Sequence, residues 1–288
     1  MELSMHLNYV MSRVFGEKLS ISEAARLCRN SGFGYVDYSP DVQKDDWKEC
    51  AYRDKEVLDK AGIKVEQTHA PFNRYRQYDD DKFWTYFSRL FEASSILGAK
   101  YVVVHADEYR TFDRYDEREI LDFTYEYLAP HVDYASSHGM TVAVENVFED
   151  NNYRWPLIEG KSRFTSRIEE LLSVLEKFAS PNVACCWDFG HAKCAYGNEG
   201  MTDALEKVGK YVVCTHVHDN YYDKDLHVPP FLGETDWQSN MAMLKKVGYT
   251  GKLSFEPGYG SIPKELMQMY LDVFWKTGEY LKKLFDGE

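Results

Sequence analysis

Eight short β-rich runs alternate with eight helical stretches in this chain, and six of the runs end in a side chain able to hold a cation or move a proton. The runs cover 4–9, 35–39, 64–69, 101–105, 141–146, 183–188, 212–218 and 252–256. The helical stretches lie near 20–31, 44–61, 80–98, 117–138, 165–178, 202–209, 236–247 and 263–285. Punctuation supports the alternation. "SISE" at 20–23 has the form of a capping box, and Gly32 stands where a glycine closing that helix belongs. "AGIKVEQTHA", "LGAKYVVVHA" and "HGMTVAVEN" each pass from a helix end through a glycine into a β-rich run.

Such alternation folds into either a closed barrel or an open doubly wound sheet. The chemistry at the run ends separates the two. His69, His105, Glu145, Asp188, His216 and Glu256 close runs three to eight in turn. A barrel gathers its C-terminal strand ends into one ring, where the active sites of such folds lie, whereas an open sheet spreads them across its width. No GxGxxG follows the first run. The expected fold is therefore α/β, a single (β/α)8 TIM barrel spanning 1–288 as one domain, with its active site at the C-terminal ends of the strands. The 288 residues suit that fold, for which about 250 is typical, and a hydrophobic content of 44% fills its core.

Thirty-four basic against 47 acidic residues give a formal charge of −13. That surface repels phosphate backbones, and no basic patch offsets it, so nucleic acid is not an expected partner. No run of 18 apolar residues occurs, and "MELSMHLNYV" lacks a basic region followed by an apolar one, so neither a membrane span nor a signal peptide is expected. The six cysteines show no CxxC spacing, which fits a reduced, cytoplasmic protein.

The segment "CCWDFGHAK", 185–193, invites a cysteine–histidine zinc reading. Strand geometry argues against it. Side chains alternate, so Cys186 shares a face with Asp188 while Cys185 shares the other with Trp187. Adjacent cysteines point apart, and Cys186 lies about 6–7 Å along the strand from Asp188. The cysteines read as packing, and the chemistry passes to Asp188 and His191. Glu145, Asp188 and Glu256 at one barrel mouth would repel each other without a cation to neutralise them. With His216 they form an oxygen and nitrogen set suited to one Mn²⁺, Zn²⁺ or Co²⁺, Mg²⁺ being admissible.

The motifs "THAPF" (68–72), "VVVHAD" (102–107), "VAVENV" (142–147), "WDFGHA" (187–192), "THVHDN" (215–220), "DLHVPPFLGETDW" (225–237) and "FEPGYG" (255–260) follow one another over nearly the whole chain. In order and spacing they resemble the xylose isomerase-like TIM-barrel superfamily, which includes sugar (phosphate) isomerases and epimerases, inosose-processing enzymes and endonuclease IV. The resemblance implies that Glu145, Asp188, His216 and Glu256 ligate the main metal. It matches His69 and His105 to histidines that bind an additional zinc in the endonuclease branch and line the substrate pocket elsewhere. His191 matches a histidine contacting a substrate hydroxyl in the epimerase branch. With Asp225 and His227 it also matches the third zinc site of the endonuclease branch. The chain departs from both branches. "ENVFED" and "DFGH" replace the endonuclease segments, and "HVHDNYYD" offers Tyr221 and Tyr222 where ketohexose epimerases carry an arginine.

The expected function is a metal-dependent sugar or polyol isomerase or epimerase acting on a small substrate, phosphorylated or not. Proton transfer beside a carbonyl needs a Lewis acid to steady the enediolate and two placed acid/base groups. Glu145 and Glu256 are the candidate catalytic pair. His191 and His218 are candidates to hold substrate hydroxyls, a surface position being the alternative for His218. Two rivals stand beside this reading: a three-zinc phosphodiester hydrolase and a non-catalytic sugar-binding relative. A homo-oligomer is compatible with all three. The long segment 148–164, with Tyr153, Arg154, Trp155, Lys161 and Arg163, suits a lid or a packed excursion. Phe72, Trp84, Trp155, Trp187 and Trp237 would suit stacking on a sugar ring, or packing in the core.

Overall fold

Every expected run forms a strand, and the eight are all parallel: Leu3–His6, Tyr35–Asp37, Lys64–His69, Tyr101–Val104, Thr141–Glu145, Val183–Asp188, Val212–His216 and Leu253–Phe255. The computed structural model describes residues 1–73, 79–106, 116–148, 163–222, 224–258 and 261–288. Strands one to seven pair in chain order, and the eighth pairs with the first. A parallel bridge between Val217 and Phe255 joins the seventh strand to the eighth, Val217 N–H donating to the Ser254 carbonyl at 2.8 Å. The result is a (β/α)8 barrel.

Its layers follow from strand alternation. Val102, Val104, Val142, Val144, Cys185 and Trp187 face the helices as part of one large core. Tyr101, Val103, Ala143, Cys186 and Cys214 pack together inside the barrel. Parallel strands covered on both faces need apolar side chains on both, and all six residues of Val183–Asp188 are buried. Cys185 and Cys186 are thus on opposite faces, and burial raises both thiols well above their ordinary range. Changing Cys185 or Cys194 to alanine should cost about 1 kcal/mol or less of stability. It should leave metal content unchanged. Thermal melts paired with elemental analysis check this, and metal loss in either variant would revive a cysteine ligand.

The capping box forms as expected, with the Ser20 side chain accepting from Glu23 N–H, the Glu23 carboxylate accepting from Ser20 N–H, and Gly32 at φ 118°. Three features differ most from expectation. The first strand stops at His6, because Leu7 and Val10 bury at helical spacing and start the helix Leu7–Ser12. The helix expected at 202–209 begins at Phe189, directly after the sixth strand, because Asp188 accepts the His191 N–H and caps it. That helix kinks at Gly197, whose φ of 64° suits a residue without a side chain. A short parallel pair, Val14–Phe15 with Ile262–Pro263, lacks any alternation long enough to signal it. Among the described residues, no helix is long and apolar enough to cross a membrane.

Candidate metal and active site

All eight strands deliver a polar side chain to the same end of the barrel. His6, Asp37, His69, Glu145, Asp188 and His216 are the last residues of their strands, while His105 and Glu256 follow theirs by one. His216 sits at the centre. Its Nδ1 lies 3.3 Å from Glu145 Oε1, 3.4 Å from Glu256 Oε2 and 3.7 Å from Asp188 Oδ2. The four side chains are buried.

The far side of the His216 ring decides what Nδ1 can do. Nε2 lies 3.2 Å from Asp37 Oδ2, which also accepts from Gln67 Nε2 at 3.0 Å. A carboxylate only accepts, so Nε2 keeps a proton and Nδ1 is the nitrogen that can present a lone pair to an ion among three carboxylates. Nδ1 makes no hydrogen bond among the described residues. A bare nitrogen among buried carboxylate oxygens is a costly arrangement alone and a good donor set for a divalent cation. The residues fit such an ion. Asp37 is the main residue absent from the sequence reading, although it ends the second strand just as Glu145 ends the fifth.

Two further donor groups flank this centre. Ligand-capable atoms of His69, His105 and Glu145 lie within 4.8 Å of one another, as do those of His191, His218, Asp225 and His227. Backbone carbonyls anchor three of these rings through Nδ1: Ala70 O at 2.8 Å from His69, Asn146 O at 2.9 Å from His191, and Glu256 O at 3.0 Å from His227. Each Nε2 is then left to face a carboxylate. The distances are 3.1 Å from His69 to Glu145, and 3.8 Å and 3.0 Å from His191 and His227 to Asp225. His218 is no surface residue. Its Nε2 is 3.0 Å from Asp188 Oδ2, and its ring stacks on His227 at 3.8 Å between centroids. Only a glycine at 190 allows this, since a Cβ there would stand 1.8 Å from His218 Cε1.

The cluster opens into a cavity of about 230 Å³ lined also by Tyr9, Phe72, Phe148 and Arg163. A larger cavity of about 430 Å³ lies near the opposite end of the barrel, against Tyr35, Lys64, Lys100 and Lys252, and touches none of the site residues. Of the aromatic candidates, Phe72 faces the site, whereas Trp187 and Trp237 are core and Trp84 packs on Phe83 and Phe87. Trp155, with Tyr153, Arg154 and Lys161, lies outside the described residues.

Burial works to lower His216, but the carboxylates of Glu256 and Glu145 outweigh it and hold the ring well above its ordinary value. Burial would raise Glu145, and the surrounding histidines, His216 first, drive it well below instead. His227 follows the same pattern: Asp225 overcomes burial and lifts it from 6.5 to about 9. Burial dominates at His105, which is lowered. Without an ion, protons on histidines therefore neutralise the acids. A raised histidine contributes stability that is fully present below its unfolded value and is lost as pH rises through its folded one. Chelated protein should accordingly lose thermal stability between pH 6.5 and about 9, the window set by His227. A bound cation replaces those protons and should flatten the decline. Melting temperatures measured against pH, with and without chelator, check this; a flat chelated profile over that window contradicts it.

A parallel barrel with buried acids and histidines ringing its C-terminal mouth defines an α/β-barrel protein with a candidate cation site beside a small cavity. The chain belongs to the xylose isomerase-like TIM barrel family, whose model matches residues 25–273. Two uncharacterised relatives, from Methanocaldococcus jannaschii and Sinorhizobium fredii, are 26% and 28% identical over 63% and 57% of this chain. The matches span 60% and 49% of those proteins' own lengths. Among solved structures, a xylose isomerase domain protein from Alicyclobacillus acidocaldarius superposes with a TM-score of 0.76 at 18% identity, covering 100% of both chains. A D-tagatose 3-epimerase-like protein gives 0.72 at 20% identity, covering 99% of this chain and 97% of its own. An IolI protein with a zinc atom gives 0.70 at 18%, covering 100% and 99%. These structures share the fold.

Proposed function

We propose that this chain is a divalent-metal-dependent isomerase or epimerase of a small sugar or polyol, working by removal and return of a proton beside a carbonyl. One observation carries the reading. Glu145 and Glu256, from the fifth and eighth strands, approach the same His216 nitrogen at 3.3 and 3.4 Å, at the edge of the cavity. Two carboxylates meeting from different strands can address a substrate carbon from different sides, one taking its proton and the other returning it. Glu145, Asp188, His216 and Glu256 would hold the ion, whose chemistry is to polarise the carbonyl and offset the charge of the acids. His191 would hold a hydroxyl, His218 would back Asp188 from behind, and Phe72 and Phe148 give the cavity apolar walls. The D-tagatose 3-epimerase-like protein among the structural neighbours, and the zinc in another, support this assignment.

A second reading, a three-metal phosphodiester hydrolase, is favoured by the two flanking donor groups. The net charge of −13 disfavours a polyanionic duplex as substrate. The deciding experiment incubates Mn²⁺- or Co²⁺-loaded protein with ketoses, ketose phosphates and inososes in deuterated water. Deuterium should enter the carbon beside the carbonyl of at least one of them, even where net conversion is slight. An abasic-site duplex is assayed in parallel. Cleavage of that duplex with no exchange in the panel transfers the assignment to the hydrolase, as would near three zinc atoms per chain in elemental analysis.

A further inference from the structure

His105 is held differently from four of the other histidines at the mouth. His69, His191 and His227 rest an N–H on a backbone carbonyl, and His216 rests one on Asp37. Behind His105 stands a guanidinium: Arg163 Nη2 donates to His105 Nδ1 at 3.4 Å. A guanidinium offers no acceptor, so Nδ1 must keep its lone pair and the neutral ring carries its proton on Nε2. That nitrogen points at Glu145 Oε2, 3.3 Å away. A protonated ring nitrogen cannot ligate a metal.

We propose that Arg163 keeps His105 out of any metal site and makes it a hydrogen-bond donor to Glu145, so that the His69–His105–Glu145 group takes no ion of its own. Arg163 is a positioning residue acting through His105. It is only 6% exposed, and its guanidinium lies 5.8 Å over the Phe148 ring, so it is packed in place beside the mouth. Its fixed positive charge also repels a divalent cation at this spot. The same N–H occupies Glu145 Oε2 and leaves Oε1 for the side facing His216, 3.3 Å away. His69, across the same carboxylate, has a carbonyl behind it, so its Nδ1 keeps a proton and Nε2 is the nitrogen an ion could take. Arg163 is therefore the side chain that separates a ligand-like histidine from a donor histidine at otherwise similar positions.

This inference rests on the proposed main ion at Glu145, Asp188, His216 and Glu256. The test strips each protein, saturates it with Zn²⁺, removes excess and counts ions per chain. His105→Ala should keep the wild-type count. Arg163→Leu, which frees the ring to move its proton to Nδ1, should gain an ion, and Arg163→Lys, which still donates, should not. Nitrogen NMR of the wild-type protein should show His105 protonated at Nε2 and not Nδ1. Loss of an ion in folded His105→Ala, or a proton on Nδ1, overturns the inference while leaving the main site untouched. Failure of the main site reads out separately: the ion count of Glu256→Gln would then equal that of the wild type. If Arg163→Leu does not fold, His105→Ala and the NMR tautomer still decide.

Discussion

Changing Glu256 to glutamine should lower solvent-deuterium exchange into the substrate by at least ~10²-fold, the low end for loss of a general base. The substitution keeps size and hydrogen-bonding reach but removes the group able to accept a proton. Exchange is the sensitive readout because a deprotonated sugar can recapture its proton many times before giving product. Glu256 also faces His216 Nδ1 at 3.4 Å, so part of the fall can come through weaker ion binding. Metal content measured on the same sample separates the two. A variant that keeps its metal and exchanges at the wild-type rate removes Glu256 from the proton-transfer pair. Glu145, central to more contacts, is the poorer first target, since its loss would disturb His69, His105, His191 and His216 together.

Asp37→Asn should weaken binding of the main ion by ~10–100-fold, the usual cost of losing a partner behind a ligating histidine. Asp37 accepts from both Gln67 and His216, and its negative charge is what requires a proton on His216 Nε2 and frees Nδ1. The amide of asparagine can turn its NH₂ toward Nε2 and select the opposite tautomer, with Nδ1 protonated and unable to ligate. Competition against a zinc chelator of known affinity measures the effect. Chelated variant and wild type should melt at similar temperatures if Asp37 works mainly through the ion. Unchanged affinity in a folded variant would reduce Asp37 to an ordinary core hydrogen bond.

Much of this was legible before any coordinates. Alternating β-rich and helical runs, capped by "SISE" and closed by glycines, are local signals, and local signals suffice for a barrel whose strands pair in chain order. The site was legible for a related reason. Parallel strands in a barrel all end at one mouth, so a polar residue at the end of each run is a prediction of proximity that needs no packing detail. Cys185 and Cys186 fell to opposite faces because strand alternation is equally local. What only the tertiary structure decided depends on which way a ring or chain turns once it is packed. Gly190 and His218 are far apart in sequence, yet the missing Cβ of one makes room for the other. The helix after the sixth strand starts at Phe189 because Asp188 both ends a strand and caps the next turn, two uses that no single periodicity reveals. Asp37 and Arg163 matter through the nitrogen they select on a distant histidine, and a tautomer is set by whichever donor or acceptor folding brings behind the ring.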